Sequence, residues 1–94
     1  MHELILLGLN HKTAPIDLRE KLAFQEPELE RALLRLRSLP FLKESMILST
    51  CNRVELYAVS TEVEKAIGAL KDFLSEHHGL PLGQFEKTLY HYIG

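Results

Sequence analysis

The chain has one cysteine, Cys51, and no tryptophan among its 94 residues. A single thiol excludes an internal disulfide framework and, with no leader-like segment at the amino end, leads us to expect a reducing, cytoplasmic setting. It also falls short of a zinc pattern, which needs several thiol or imidazole ligands at set spacings, so no metal site is expected. The longest unbroken apolar run, Leu4 to Leu7, is far below the ~20 residues that cross a bilayer, and no membrane partner is expected. Neither sign of charge dominates: eleven Lys and Arg stand against thirteen Asp and Glu, a formal charge of −2. No general field therefore draws the chain to nucleic acid, and any RNA contact must be local. No repeat, low-complexity tract or Gly/Ser linker divides the chain, and its length leaves no room for a second full domain. Residues 1–94 are expected to form a single domain.

What is present is a globular composition, 46% hydrophobic and 26% charged, enough to fold around a core. Glu3 to Asn10 is too short for a helix and apolar on both alternating faces, which predicts a central buried strand. His11-Lys12-Thr13-Ala14-Pro15 predicts a loop, because Pro15 lacks an amide donor and keeps Ala14 out of the helical region. Asp17 with Glu20 reads as a capping box opening a short helix to Ala23, and Pro27 sits where a first-turn proline belongs in a longer one. In that longer helix Leu29, Ala32, Leu33 and Leu36 make one apolar stripe, bounded before Pro40. Met46 to Thr50 and Arg53 to Val59 predict two strands joined by a tight turn at Cys51-Asn52. Thr61 with Glu64 reads as another capping box, followed by a stripe from Val63 to Leu74 and ended by Gly79 and Pro81. A helical turn near Gln84 to Glu86 then leads into strand composition from Thr88 to Ile93.

Strand, helix, strand, strand, helix, strand is the order of a ferredoxin-like βαββαβ sandwich, an α+β fold with a four-stranded antiparallel sheet and helices on one face. Right-handed crossover makes the first and second strands parallel with the third between them. Asn10-His11 and Thr50-Cys51 then end at the same edge of the sheet, ~10 Å apart. A lone cysteine is commonly a small buried hydrophobe. On a sharp turn two residues from Arg53, Cys51 is also a candidate nucleophile, since the thiolate is the attacking form and a nearby cation favours it. Asn52 suits a turn with positive φ and has an amide free for a ligand. His11 is either a solvated loop imidazole or a neighbour of Cys51. His77 and His78 close a helix, where a cationic imidazole complements the dipole, and Arg31, Arg35 and Arg37 read as a solvated helix face. The strands show no paired exposed aromatics, which counts against a base-stacking RNA platform.

Two segments, Gly8-Leu9-Asn10-His11-Lys12-Thr13-Ala14-Pro15 and Leu48-Ser49-Thr50-Cys51-Asn52-Arg53-Val54-Glu55-Leu56-Tyr57, together resemble the signature segments of the amino-terminal catalytic domain of the glutamyl-tRNA reductases. The resemblance covers nearly the whole chain and implies the same ferredoxin-like fold. It implies an NADPH-dependent oxidoreductase that reduces glutamate carried on its tRNA to glutamate-1-semialdehyde, the entry step to tetrapyrroles from glutamate. It also implies that Cys51 is the catalytic nucleophile that becomes a thioester, that Arg53 forks onto the substrate's side-chain carboxylate, and that Thr50 and Asn52 hydrogen-bond the amino acid. Asn10 and His11 become neighbours of that site. Glutamyl-tRNA is the implied substrate partner, and a homodimer is implied through regions outside this chain. The sequence departs from the family's full pattern in lacking any Gly-x-Gly-x-x-Gly turn, so the NADPH site and the dimerisation domain are expected elsewhere. His91 lies too early to be the family's further active-site histidine. These residues alone are expected to fold without turning over NADPH. The alternative is a free-standing ferredoxin-like binding or regulatory module without catalysis, which reactivity of Cys51 toward an electrophile separates from the enzyme.

Overall fold

The computed structural model describes residues 1–94, and its centre is strand β1 (Glu3–Asn10). β1 pairs antiparallel on one side with β3 (Arg53–Ser60) and on the other with β4 (Tyr90–Ile93). β2 (Glu44–Ser49) pairs antiparallel with the outer side of β3, giving the order β2-β3-β1-β4. Because β3 runs against both β1 and β2, those two are parallel and their carboxyl ends meet at one edge. The expected ferredoxin-like sheet is therefore present.

Alternation along β1 and β3 builds the core. Ile5, Leu7 and Leu9 share a face with Val54, Leu56 and Ala58, and all six are buried. They pack against helices α1 (Ile16–Leu22), α2 (Glu26–Arg37) and α3 (Val63–His78), which contribute Leu22, Ala32, Leu36, Ala66, Leu70 and Leu74. Each such leucine contributes about 1.5–3 kcal/mol by leaving water. The other face of the sheet carries no helix. Gly8 lies there, in register with Glu55 on β3 and Tyr90 on β4.

The helix starts differ from those the sequence suggests. Pro15, at φ −68° and ψ 161°, occupies the cap position of α1, which leaves Asp17 in the first turn with no amide to cap. Its charge there still suits the helix dipole. α3 is entered through Glu62 rather than Thr61, and the Ser60 hydroxyl accepts the Glu62 amide at 2.9 Å. A back-reaching carboxylate instead opens α2, where Glu28 accepts the Gln25 amide at 2.9 Å. Gly79 ends α3 in the left-handed region at φ 63°, as its lack of a Cβ allows. Single 3-10 turns at Leu82–Gln84 and Glu86–Thr88 delay β4 to Tyr90.

His77 and His78 pack against the protein rather than projecting into solvent. Phe24 lies against both rings, at centroid distances of 5.1 and 4.6 Å. Burial, with His77 beside it, pushes the His78 pKa down to about 4. The His77 side chain is 5% exposed and ties α3 to α2. Its Nδ1 lies 3.3 Å from an Arg35 guanidinium nitrogen and its Nε2 3.0 Å from Glu28. A guanidinium only donates, so Nδ1 accepts from Arg35 and Nε2 donates to the carboxylate. Arg35 is thus engaged rather than merely solvated. The Glu28 carboxyl is held below its ordinary value by the Gln25 amide and then by His77, against the opposing effect of burial.

Candidate functional site

The β2–β3 hairpin is closed by two residues, Cys51 and Asn52, with the Thr50 amide donating to the Arg53 carbonyl at 2.8 Å. Two-residue hairpins usually need positive φ. Here neither loop residue has it, since Phe41 is the only non-glycine residue with positive φ. The Asn52 reading is corrected on that point: the Thr50 hydroxyl shapes the turn instead, accepting the amides of Asn52 and Arg53, each at 3.2 Å. The Thr50 side chain thus locks the backbone that presents Cys51, whose thiol is exposed rather than packed in the core.

The β1 end is built the same way. The Asn10 side-chain oxygen accepts the amides of Lys12 at 2.8 Å and Thr13 at 3.2 Å, and the Thr13 hydroxyl accepts the Asn10 amide at 2.9 Å. This local bonding ends the strand and turns the chain toward α1. Register then places Asn10 opposite Arg53. Asn10, His11, Thr50, Asn52 and Arg53 line one polar cleft of about 340 Å³, while Cys51 lines a second cleft on the α1 side that shares Thr50 with the first. Every residue singled out from the sequence as a site candidate therefore stands at this one edge.

Behind the cleft is a group the sequence reading did not single out. Glu55 is 5% exposed and points onto the helix-free face. Its two carboxylate oxygens accept the hydroxyls of Tyr57 at 2.8 Å and Tyr90 at 2.6 Å. The Arg53 guanidinium approaches it to 3.9 Å. A buried carboxylate is costly unless hydrogen-bonded, and the two phenols satisfy it. They respond in turn: both tyrosine pKa values rise, Tyr57 chiefly through its bond to Glu55 and Tyr90 chiefly through burial. Gly8 makes the room, because a Cβ there would come within 2.6 Å of the Val54 carbonyl and 2.7 Å of the Glu55 side chain. The only legible signal for Glu55 was an acidic residue between apolar neighbours, which on a half-exposed strand reads as solvated.

Tyr57, Tyr90 and Tyr92 all lie on the helix-free face, with Tyr90 and Tyr92 ring centroids 5.8 Å apart. The sheet thus carries a tyrosine cluster in which Tyr92 is exposed while Tyr57 and Tyr90 are half-buried. Tyr90 and Tyr92 are alternate residues of β4, whereas Tyr57 joins their face only through strand register. Two of the three hydroxyls are engaged by Glu55. No cluster of three or more His, Cys, Asp or Glu side chains is disposed to hold a metal ion, and no helix is long and apolar enough to cross a membrane.

Known proteins are similar to this chain in sequence and in fold. The family model described as glutamyl-tRNAGlu reductase, N-terminal domain, matches residues 7–94. The chain is 48% identical over 85 residues to a glutamyl-tRNA reductase of Synechocystis, covering 90% of the chain and 20% of that protein. It is 45% identical over 91 residues to one of Geotalea daltonii, covering 97% of the chain and 21% of that protein. Among solved structures, the glutamyl-tRNA reductase of Methanopyrus kandleri superposes with a TM-score of 0.61 at 26% identity, over 97% of this chain and 19% of that one. The chain thus spans about a fifth of the length of the curated relatives it matches. With its Thr50-Cys51-Asn52-Arg53 turn, its Asn10-His11 loop and all of its sheet but the first half of β1 falling within the matched residues, the chain belongs to the glutamyl-tRNA reductase N-terminal domain family.

Proposed function

We propose that these residues form the acylation half of a glutamyl-tRNA reductase, with Cys51 as the nucleophile that receives the glutamyl group. The observation that carries this reading is the exposed thiol on a side-chain-locked turn whose neighbours Thr50, Asn52 and Arg53 line one polar cleft. The Sγ thiolate attacks the carbonyl carbon of the ribose ester, the carbon–oxygen ester bond breaks, and the ribose oxygen leaves and takes a proton, with glutamate held as a thioester. Arg53 offers a fork for the side-chain carboxylate. Its guanidinium is 54% exposed and leans on Glu55, which favours one orientation of that fork. Thr50 and Asn52 line the same cleft and are placed to hydrogen-bond the amino acid, with Asn10 and His11 on its far wall.

NADPH, the reductant of the family, would supply the hydride that converts the acyl group to the aldehyde. The residues of this chain do not fit it. The turn after β1 reads Asn-His-Lys-Thr rather than a glycine-rich phosphate cradle, and its amides are occupied by Asn10. We therefore place the NADPH site, together with the homodimer contacts, in other segments of the longer protein, and the enzyme in the cytoplasm at the start of tetrapyrrole synthesis.

The test uses the full-length reductase, charged glutamyl-tRNA and no NADPH, with intact-mass and peptide mapping as the readout. A glutamyl adduct on Cys51, absent from Cys51→Ala, is expected. An adduct on another residue, or one that persists in Cys51→Ala, would overturn the assignment.

A further inference from the structure

Arg53 and Glu55 lie two apart on β3 and so project from one face of the sheet, within reach of a two-pronged ion pair. They do not form one. Their nearest approach is 3.9 Å, close enough for Coulomb attraction but too long for a hydrogen bond. The carboxylate is held back by its own engagements. Oε1 accepts the Tyr57 hydroxyl at 2.8 Å and Oε2 accepts the Tyr90 hydroxyl at 2.6 Å, so both atoms that a guanidinium fork uses are already taken. The Glu55 side chain is 6% exposed and the Arg53 side chain 54%. One partner is therefore fixed while the other keeps its N–H donors turned to the cleft it lines.

A carboxylate beside a ligand-binding cation can act in two opposite ways. Released from the phenols, Glu55 would compete within the molecule for Arg53, at an effective concentration far above that of a dissolved substrate. Held by both phenols, it attracts the guanidinium and limits its orientation without closing the fork. We propose that Tyr90, together with Tyr57, is a positioning residue for substrate capture: the two phenols keep the Glu55 carboxylate off Arg53, so that the fork stays open for the carboxylate of the incoming acyl group. This rests on the reading of Arg53 as the fork for the glutamyl side chain. It goes beyond that reading by giving β4, which carries Tyr90, a part in holding the fork open.

The test follows acylation of Cys51 by mass in the full-length reductase without NADPH, over a range of glutamyl-tRNA concentrations. A second donor, 4-nitrophenyl acetate, has no carboxylate for the fork. Tyr90→Phe frees Oε2, and the glutamyl-tRNA concentration giving half-maximal acylation should rise about tenfold, the scale of one charge-assisted pair. The maximal rate, and the rate with 4-nitrophenyl acetate, should change less than about twofold. The decisive variant is the double one, Tyr90→Phe with Glu55→Gln. A neutral amide competes weakly for a guanidinium, so removing the carboxylate should recover most of the capture lost in Tyr90→Phe. Damage to the fold predicts the reverse, since a second change in the same network does not repair the first. Tyr57→Phe, which frees Oε1, should weaken capture in the same way and, if the double variant does not fold, decides the matter by its own contrast between the two donors. Unchanged capture in Tyr90→Phe, equal slowing of both donors, or a folded double variant no better than Tyr90→Phe overturns the proposal. Arg53→Gln separates this from failure of the underlying reading. If it leaves capture of glutamyl-tRNA intact, the fork itself is misassigned and the proposal falls with it; if capture is lost there, only the role of the phenols is at stake in the other variants.

Discussion

On the helix-covered face of the sheet, β1 and β3 present Ile5, Leu7, Leu9, Val54, Leu56 and Ala58, all buried and all apolar. On the opposite face the same strands carry Gly8, Asn10, Arg53, Glu55 and Tyr57, and β4 adds Tyr90. The covered face is held by area removed from water, which is non-directional and tolerates a change of shape better than a change of polarity. The other is held by a few directed bonds converging on one carboxylate. A single strand thus serves stability with one set of alternate residues and orientation of the site with the other. The two sets should fail differently when broken.

The largest effect is expected on the covered face. Leu7→Ala leaves a cavity beneath the centre of the sheet, where Leu7 is fully buried, and should cost about 2–5 kcal/mol in urea unfolding. Its site chemistry, read by acylation of whatever fraction remains folded, should be little altered. A loss of less than about 1 kcal/mol would mean that the helix layer is looser than the packing implies.

Gly8→Ala attacks the other face through its crowding. A Cβ within 2.6 Å of the Val54 carbonyl and 2.7 Å of Glu55 must move one or both, which should cost about 1–3 kcal/mol. Unlike Leu7→Ala, it should also displace Glu55 from the two tyrosines. The accompanying readout is tyrosine ultraviolet absorbance against pH, because an engaged phenol ionises later than a free one. In wild type Tyr57 and Tyr90 should ionise above the ordinary tyrosine range. In Gly8→Ala they should move back toward it, and an unchanged titration would show that the network survives the added methyl.

The smallest effect is a pH slope in the helix layer. His78 is neutral in the fold, with a pKa of about 4 against an ordinary 6.5. The unfolded chain therefore binds one more proton than the folded one between those values, so stability is full above about pH 6.5 and declines as pH falls toward 4. The charged or titratable groups facing it are His77 and Glu28. Glu28, whose carboxyl is held low, adds its own loss only below its ordinary value of 4.5. The Tm from circular dichroism should fall through that window, with a shallower fall in His78→Gln. Equal slopes for the two proteins would assign the acid sensitivity to other groups.

How far each region was legible follows from the range of the interactions that build it. Strand alternation and helical stripes are local patterns, and they located β1, the hairpin strands, α2 and α3 closely. Caps were less legible: Thr61 and Asp17 resemble caps as well as Ser60 and Gln25 do, and which residue serves depends on where the chain leaves the preceding strand. Glu55, Tyr57 and Tyr90 gave no combined signal, because two of them are neighbours along β3 while the third comes from β4, beyond α3.

The sequence by itself determined the order of elements, the parallel placement of β1 and β2, and so the meeting of Asn10-His11 with Thr50-Cys51-Asn52-Arg53, because periodicity and crossover handedness are properties of short stretches of chain. Tertiary structure decided what surrounds those residues. It set Glu55 beside Arg53 through strand register, left the Arg19 Nε without a partner in a cleft beside Cys51, and buried His78 until it lost its charge. Each of these depends on desolvation and on contacts between segments far apart along the chain. A residue's type does not encode how much water its neighbours will take away.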